Sequence, residues 1–350
     1  MNKTSTLRNP GFLAIRIAAF VIIASGIYFA KSLITPFLLA LFISIICAQP
    51  IAWLEKKKVP NGLAVILVIL AIVSLFLVFA GVIGGTISSF LANVHAYKEK
   101  ISIDSGTFIK FLHDKGLKIS DAEASNFIQL GKILEITSLV VNEMVNMVGN
   151  MFVVFLIVAF ILLESGSFGL KTKAIFKGSG ESFSFFSTII TNIRHYLWIK
   201  TMICLLTALF VYIALMIIGV DYPLLWAVIA GLMNYIPNIG SIIAAVPAVL
   251  FALVQVGLGG AVWTLFSFLL VNNVLGNFIE PKIMGRGLGL STLVVFLSLL
   301  FWGFLLGTVG MFLSVPLTMA IKIILEQDAK TKWIAILLGS SAEARHLHHG

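Results

Sequence analysis

Residues 222–257 read YPLLWAVIAGLMNYIPNIGSIIAAVPAVLFALVQVG, and no Asp, Glu, Lys or Arg follows until Glu280. Taken as one helix, this stretch would run about 54 Å, against a hydrocarbon core of about 30 Å. Pro237 removes a backbone donor inside it, and Asn238 and Gly240 follow at once. Two short arms, 222–236 and 239–257, suit the stretch better than one rod. Charge placement argues the same way. If 222–257 and 259–279 each crossed once, Lys282 and Arg286 would emerge on the outer side, against the positive-inside rule.

A second stretch has the same problem of length. Residues 291–325 contain Gly303, Gly307, Gly310 and Pro316, and a fold-back near Gly307 to Gly310 would resolve it. The two stretches echo each other: Ile239-Gly240 leads to Val246-Pro247, and Val309-Gly310 leads to Val315-Pro316. Gly- and Pro-interrupted apolar segments in matching positions point to a transport site.

The rest of the chain is written for lipid. Hydrophobic residues make up 59% of its 350 residues, only 11% are charged, and the mean hydropathy is +1.07. A water-soluble fold of this length cannot hide so much apolar surface. The apolar blocks are 12–31, 33–54, 62–92, 139–163, 197–219, 222–257, 259–279 and 291–325. The fold class expected is therefore all-α: a polytopic integral membrane protein of about eight transmembrane segments, with broken or re-entrant helices at 222–257 and 291–325. The basic N-terminal segment before 17–30 mimics a signal peptide, but a second apolar run starts at Leu33, so 17–30 reads as an uncleaved anchor.

Four divisions follow. Residues 1–92 hold the first three segments, 93–137 an extramembrane insertion, 138–327 the transport core and 328–350 a cytoplasmic tail. In 93–137 six lysines balance six acids, and Phe108, Phe111 and Leu112 fall on one helical face, as do Phe127, Leu130 and Leu134. The insertion reads as short amphipathic helices, with a solvated linker as the alternative. Lys and Arg cluster in the N-terminal segment, in the 54–61 turn, in the 164–196 loop and at the C-terminal end. All four are expected in the cytoplasm, both termini included, which leaves 93–137 outside.

The net charge of +9 lies in short stretches between apolar runs, so it marks cytoplasmic loops and not a nucleic-acid interface. Cys47 and Cys204 fall inside apolar runs and read as small hydrophobes. There is no G-x-x-x-x-G-K-[ST] loop, no H-E-x-x-H and no paired cysteine. No cofactor, metal or catalytic constellation is expected, and an enzyme is the least favoured class.

Ionisable and amide groups inside lipid need a reason. Asn273, Asn277 and Glu280 recur at i, i+4 and i+7, on one face of an α-helix, with Asn272 beside them and Pro281 after them. Such a stripe can line a wet cavity, with Glu280 carrying a proton or pairing with a cation; the alternative is interhelical bonding that holds the bundle. Asn234, Tyr235, Pro237, Asn238 and Gly240 form a second cluster, whose unwound backbone can hold a polar solute or simply kink the chain. Asn142, Asn146 and Asn150 form a third, read as an outer helix end facing water. His195 and Lys200 read as interface anchors. Arg286 is a candidate gate or anion contact, with a plain cytoplasmic anchor as the alternative.

In the second half the residues become recognisable. Asn234-Tyr235-Ile236-Pro237-Asn238-Ile239-Gly240-Ser241, the run from Asn277 through Glu280-Pro281-Lys282-Ile283-Met284-Gly285-Arg286-Gly287-Leu288-Gly289-Leu290-Ser291-Thr292, and the block from Phe301-Trp302-Gly303 to Ser314-Val315-Pro316-Leu317 resemble signatures of the autoinducer-2 exporter family. The specific motifs lie in 234–326; the hydropathy likeness covers nearly the whole chain. The resemblance implies a bacterial inner-membrane protein that exports autoinducer-2, a small polar signal used in quorum sensing. It also implies about eight spans and a homo-oligomer such as a pentamer, and some members are described as sodium/proton antiporters. On this reading the solute or ion pathway would run by Asn234, Pro237, Asn238, Gly240, Asn273, Asn277, Glu280 and Arg286. The expected partners are the bilayer and a small polar signal or a cation. A sodium or other cation/proton antiporter and a non-transporting scaffold or sensor are the rival readings.

Overall fold

The computed structural model describes residues 10–114, 151–164, 180–237, 239–284, 289–328 and 330–339. Among these residues there is no strand. The helices are α1 (Pro10–Phe29), α2 (Lys31–Lys56), α3 (Asn61–Asp114), α4 (Met151–Glu164), α5 (Gly180–Ile218), α6 (Pro223–Met233), α7 (Gly240–Gln255), α8 (Leu258–Val271), α9 (Glu280–Met284), α10 (Thr292–Gln327) and α11 (Lys332–Leu338). A π-helical segment, Asn272–Ile279, joins α8 to α9. The chain is thus an all-helical, multi-pass membrane protein. By length and composition five of its helical stretches could cross a bilayer: Lys31–Lys56, Asn61–Phe90, Thr188–Ile218, Leu258–Met284 and Thr292–Gln327; α4, α6 and α7 are shorter and apolar. Large side chains along them face outward, such as Leu75, Leu77, Phe160, Ile217, Phe278 and Phe304. That is the composition of a lipid-facing surface.

Three boundaries differ from those drawn on the sequence. Helix α3 passes 92/93 without a break and is helical through Asp114, the last described residue there, so the first part of the 93–137 insertion continues a spanning helix. Helix α5 starts at Gly180, inside the stretch read as a loop. The tail begins with α11, tied to α10 by Thr331 Oγ1 donating to Leu325 O at 2.8 Å and by Ser291 N donating to Leu338 O at 3.0 Å. In each case the polar flank of an apolar run belongs to the helix, because backbone bonding continues after lipid ends.

The chain divides into two compact units: residues 1–61, 153–193 and 288–350, and residues 62–152 and 194–287. In the first, α10 is not a single rod. Gly307 adopts φ 71°, ψ −151°, a conformation essentially reserved for glycine. Trp302 Nε1 donates to Thr318 Oγ1 at 3.0 Å, although sixteen residues of straight helix would separate them by about 24 Å. Helix α10 is therefore a hairpin, begun by Ser291, whose hydroxyl caps the Val294 amide at 3.2 Å. Tyr28 of α1 stacks on Phe304 at 5.6 Å.

The second unit holds the other hairpin, α6–α7. Its ends close together: Gln255 accepts from Asp221 N at 2.7 Å and donates to Gly219 O at 3.1 Å. Its arms join through aromatics, with Trp226 and Phe251 5.3 Å apart and Phe90 of α3 lying edge-on to Trp226 at 6.0 Å. Tyr222, just before Pro223, sits at φ 55°, which a non-glycine residue enters at a cost of about 1–2 kcal/mol. Its hydroxyl donates to Ser89 O at 3.1 Å and accepts from Asn93 Nδ2 at 2.8 Å, which holds it there. Because the hairpin leaves where it enters, the segment from α8 to α9 carries Lys282 to the opposite end of this unit, the end of Lys200 and Arg194. With one crossing by 222–257, Lys282 would instead have emerged at the end of Gly219.

Candidate functional site

The chemistry of the second unit gathers at the tip of the α6–α7 hairpin. Asn234 ends α6, and the backbone then leaves helical bonding: Tyr235 N donates to Leu232 O, Ile236 N to Met233 O and Ile239 N to Pro237 O. Gly240 restarts the helix, and a Cβ there would collide with the Met233 carbonyl oxygen. Only glycine lets the second arm leave so close to the first. Asn234 is buried and donates to Thr207 Oγ1 of α5 at 3.2 Å, with Cys204 Sγ 3.8 Å away. The Tyr235 hydroxyl meets Thr201 Oγ1 at 2.6 Å, and Thr201 gives its own proton to Leu197 O at 2.7 Å. From the mouth at Gly219, α5 rises about 18 Å to Thr207 and about 27 Å to Thr201. The tip thus reaches through most of a bilayer's thickness before turning back.

Beside that tip is a buried ion pair. Lys200 Nζ donates to Glu280 Oε1 at 2.9 Å and Oε2 at 3.0 Å, and the two side chains are 5% and 16% exposed. Two helical segments 80 residues apart in sequence supply it. Ile199 and Ile203 of α5 bury against Leu275, flanked by Val271, Ile279 and Met284, so the apolar seam that docks α5 on the π segment also positions the pair. Lys200 thus faces both carboxylate oxygens, and the low dielectric around the pair makes each bond worth more than in water.

Of the residues expected in the site, Asn234 and Glu280 each meet a side chain of α5, while Pro237 and Gly240 form the turn that follows Asn234. Asn238 and Arg286 lie outside the described residues, as do Asn142, Asn146 and Asn150. The stripe Asn273, Asn277, Glu280 does not survive as one face. Asn273 and Asn277 are exposed; Asn277 Nδ2 donates to Asn273 Oδ1 at 2.8 Å, and Asn273 Nδ2 to Leu269 O at 2.8 Å. Glu280 turns inward to Lys200. The cause is the winding: seven residues make about two full α turns but only about one and a half with i→i+5 bonding. The residue that sequence reasoning missed is Lys200, read as an interface anchor. It is buried, and the signal that would have found it is its position twenty residues inside α5, not at its start. Among the described residues no three His, Cys, Asp or Glu side chains gather to hold a metal ion.

Comparison with known proteins adds a family. The AI-2E family transporter matches residues 17–330. The chain is 37% identical to the AI-2 transport protein TqsA of Escherichia coli, over 93% of this chain and 95% of that one. It is 40% identical to a provisionally named transport protein of Haemophilus influenzae, over 92% of this chain and 94% of the other. A provisionally named transport protein of Escherichia coli, YhhT, is 31% identical over 93% and 94%.

Proposed function

We propose, from the premise that this chain belongs to the AI-2E transporter family, that it exports autoinducer-2 across the bacterial inner membrane by a secondary or passive route past the tip of the α6–α7 hairpin. The name of the relative TqsA supports the substrate. The observation that carries the route is the buried polar cluster of Asn234, Thr207, Tyr235 and Thr201 beside the Lys200–Glu280 pair, at membrane depth. Unwound backbone and ionisable side chains are retained in lipid where they line a path or bind a solute. A small polyhydroxylated solute needs donors and acceptors of this kind, on residues that can exchange partners. Asn238 and Arg286 belong to the proposed route by their motifs, and both termini to the cytoplasm by charge. Assembly as a homo-oligomer is part of the proposal and comes from the family resemblance.

The test is flux in proteoliposomes of the purified protein, with labelled autoinducer-2 and imposed proton or sodium gradients. Uptake or release above protein-free liposomes, reduced several-fold by Asn234→Ala and Glu280→Gln, is expected. Equal flux with and without protein would sink the reading and favour a scaffold or sensor. Sodium/proton antiport is the second reading, favoured by the intramembrane carboxylate of Glu280. It requires Glu280 to receive a sodium ion, and both of its oxygens already face an ammonium group.

A further inference from the structure

Lys200 is more than the fold requires. A buried ion pair is weak evidence for stability, since apolar replacements of both members are often neutral or stabilising, whereas loss of one member is costly. An intramembrane carboxylate next to hydroxyl and carbonyl oxygens is also the donor chemistry that hard cations select. At Glu280 that position is filled: one ammonium group bonds both oxygens, at 2.9 and 3.0 Å. Thr201, the next residue along α5, holds a separate set of oxygens: its Oγ1 bonds Leu197 O and meets Tyr235 OH of the hairpin tip.

We infer that Lys200 is a tethered cation that occupies the Glu280 carboxylate and closes it to sodium, so that a proton is the small cation left to open the pair. This deepens the proposed route and rests on it. One carboxylate neutralises one charge. Sodium entering beside Lys200 would leave an uncompensated positive charge in a medium that solvates it poorly. A proton has a different access: it adds to the carboxylate itself, makes Glu280 neutral and weakens its hold on the ammonium group without needing the space Lys200 fills. The groups around the pair are Tyr196, Thr201 and Cys204, each within about one turn of Lys200 on α5, Tyr235 and Asn234 of the hairpin, which reach Thr201 and Cys204, and Lys282, two residues after Glu280. Phenols and thiols are ordinarily uncharged near neutral pH. Glu280 is then the one anion in this set, and Lys200 its resident counter-ion.

The experiment measures sodium binding, which needs no transported solute. Wild type, Lys200→Met, Glu280→Gln and the double variant are purified, and saturable 22Na+ binding is read with choline as the ionic-strength control. Thermal melts against sodium provide the second readout. The expected result is at least about tenfold more saturable sodium per chain in Lys200→Met than in wild type, with a sodium-specific rise in Tm of about 3 °C. Wild type, Glu280→Gln and the double variant should show neither. A folded Lys200→Met without sodium binding overturns the inference, and so does sodium binding by wild type that Glu280→Gln removes. The wild-type arm decides even if Lys200→Met fails to fold: absence of Glu280-dependent sodium binding supports the inference, presence refutes it. If liposome flux of autoinducer-2 is absent while these binding results hold, the proposed function fails and the cation assignment stands.

Discussion

The α6–α7 hairpin and the α10 hairpin use one backbone device for two purposes. In each, the second arm begins with a glycine pressed on a carbonyl oxygen of the first: Gly240 on Met233 O, and Gly310 on Trp302 O. In each, a buried proline follows, Pro247 or Pro316. The polar groups differ. The α10 hairpin bonds within itself, with Trp302 to Thr318, Ser298 to Val295 O and Ser314 to Met311 O. The α6–α7 hairpin sends Asn234 and Tyr235 out to another helix, α5. The ion pairs repeat the contrast: Lys322 and Glu326 are neighbours on one helix at 3.2 Å, whereas Lys200 and Glu280 join two segments distant in sequence. A hairpin whose tip bonds a neighbouring helix changes its bonding whenever that neighbour moves, while bonds between a hairpin's own residues do not depend on that movement.

The largest test of this contrast is electrostatic. Glu280→Gln leaves the buried Lys200 without its counter-charge and should cost about 3–5 kcal/mol, read as a fall in Tm by detergent-phase thermal melts and restored in part by the added change Lys200→Met. Glu326→Gln removes a carboxylate that is 37% exposed from a Lys322 that is itself buried; solvent screening of that partner makes the expected fall smaller than that of Glu280→Gln. Similar falls for the two variants would erase the distinction between them.

The shared device is tested next. Gly240→Ala and Gly310→Ala each drive a methyl group into a backbone carbonyl, and both should destabilise by about 2–3 kcal/mol. Fluorescence-detected size exclusion after heating would show matched losses. If one variant melts like wild type, the glycines are not equivalent and the sequence echo is accidental. Asn234→Ala and Trp302→Phe then separate the purposes. The first removes the bonds of Asn234 to Thr207 and Cys204, the second the bond of Trp302 to Thr318, and each variant should cost about 1–2 kcal/mol. Only Asn234→Ala should also reduce autoinducer-2 flux, several-fold.

Much of this was legible in the sequence because hydropathy, proline and charge parity act locally. The length of 222–257, Pro237 and the cationic Lys282 favoured a return over a single span. The echo of Ile239-Gly240 in Val309-Gly310 located the close approach in both hairpins. Two things were hidden. Lys200 looked terminal because the polar flank from Gly180 masked the true start of α5, and its partner lies far along the chain. The asparagine stripe assumed α winding, and nothing in the spacing of Asn273, Asn277 and Glu280 announces that the segment is wound wider.

That winding gives the smallest effect and the sharpest separation of the two halves of the predicted stripe. Among the described residues Asn277 donates to Asn273, four residues back on the same segment and on an exposed surface, and a polar side-chain contact in lipid is worth about 0.6 kcal/mol. Asn277→Ala should therefore shift Tm by about 1–2 °C and leave autoinducer-2 flux within about twofold of wild type, a ratio worth about 0.4 kcal/mol of barrier. If the π segment instead rewinds to an α-helix during transport, Asn277 rotates toward the face of Glu280, and the stripe read from the sequence becomes real in that state. The same variant would then lose flux several-fold while its Tm stayed put, and the solute path would have to be redrawn along Asn273 and Asn277 as well as the hairpin tip.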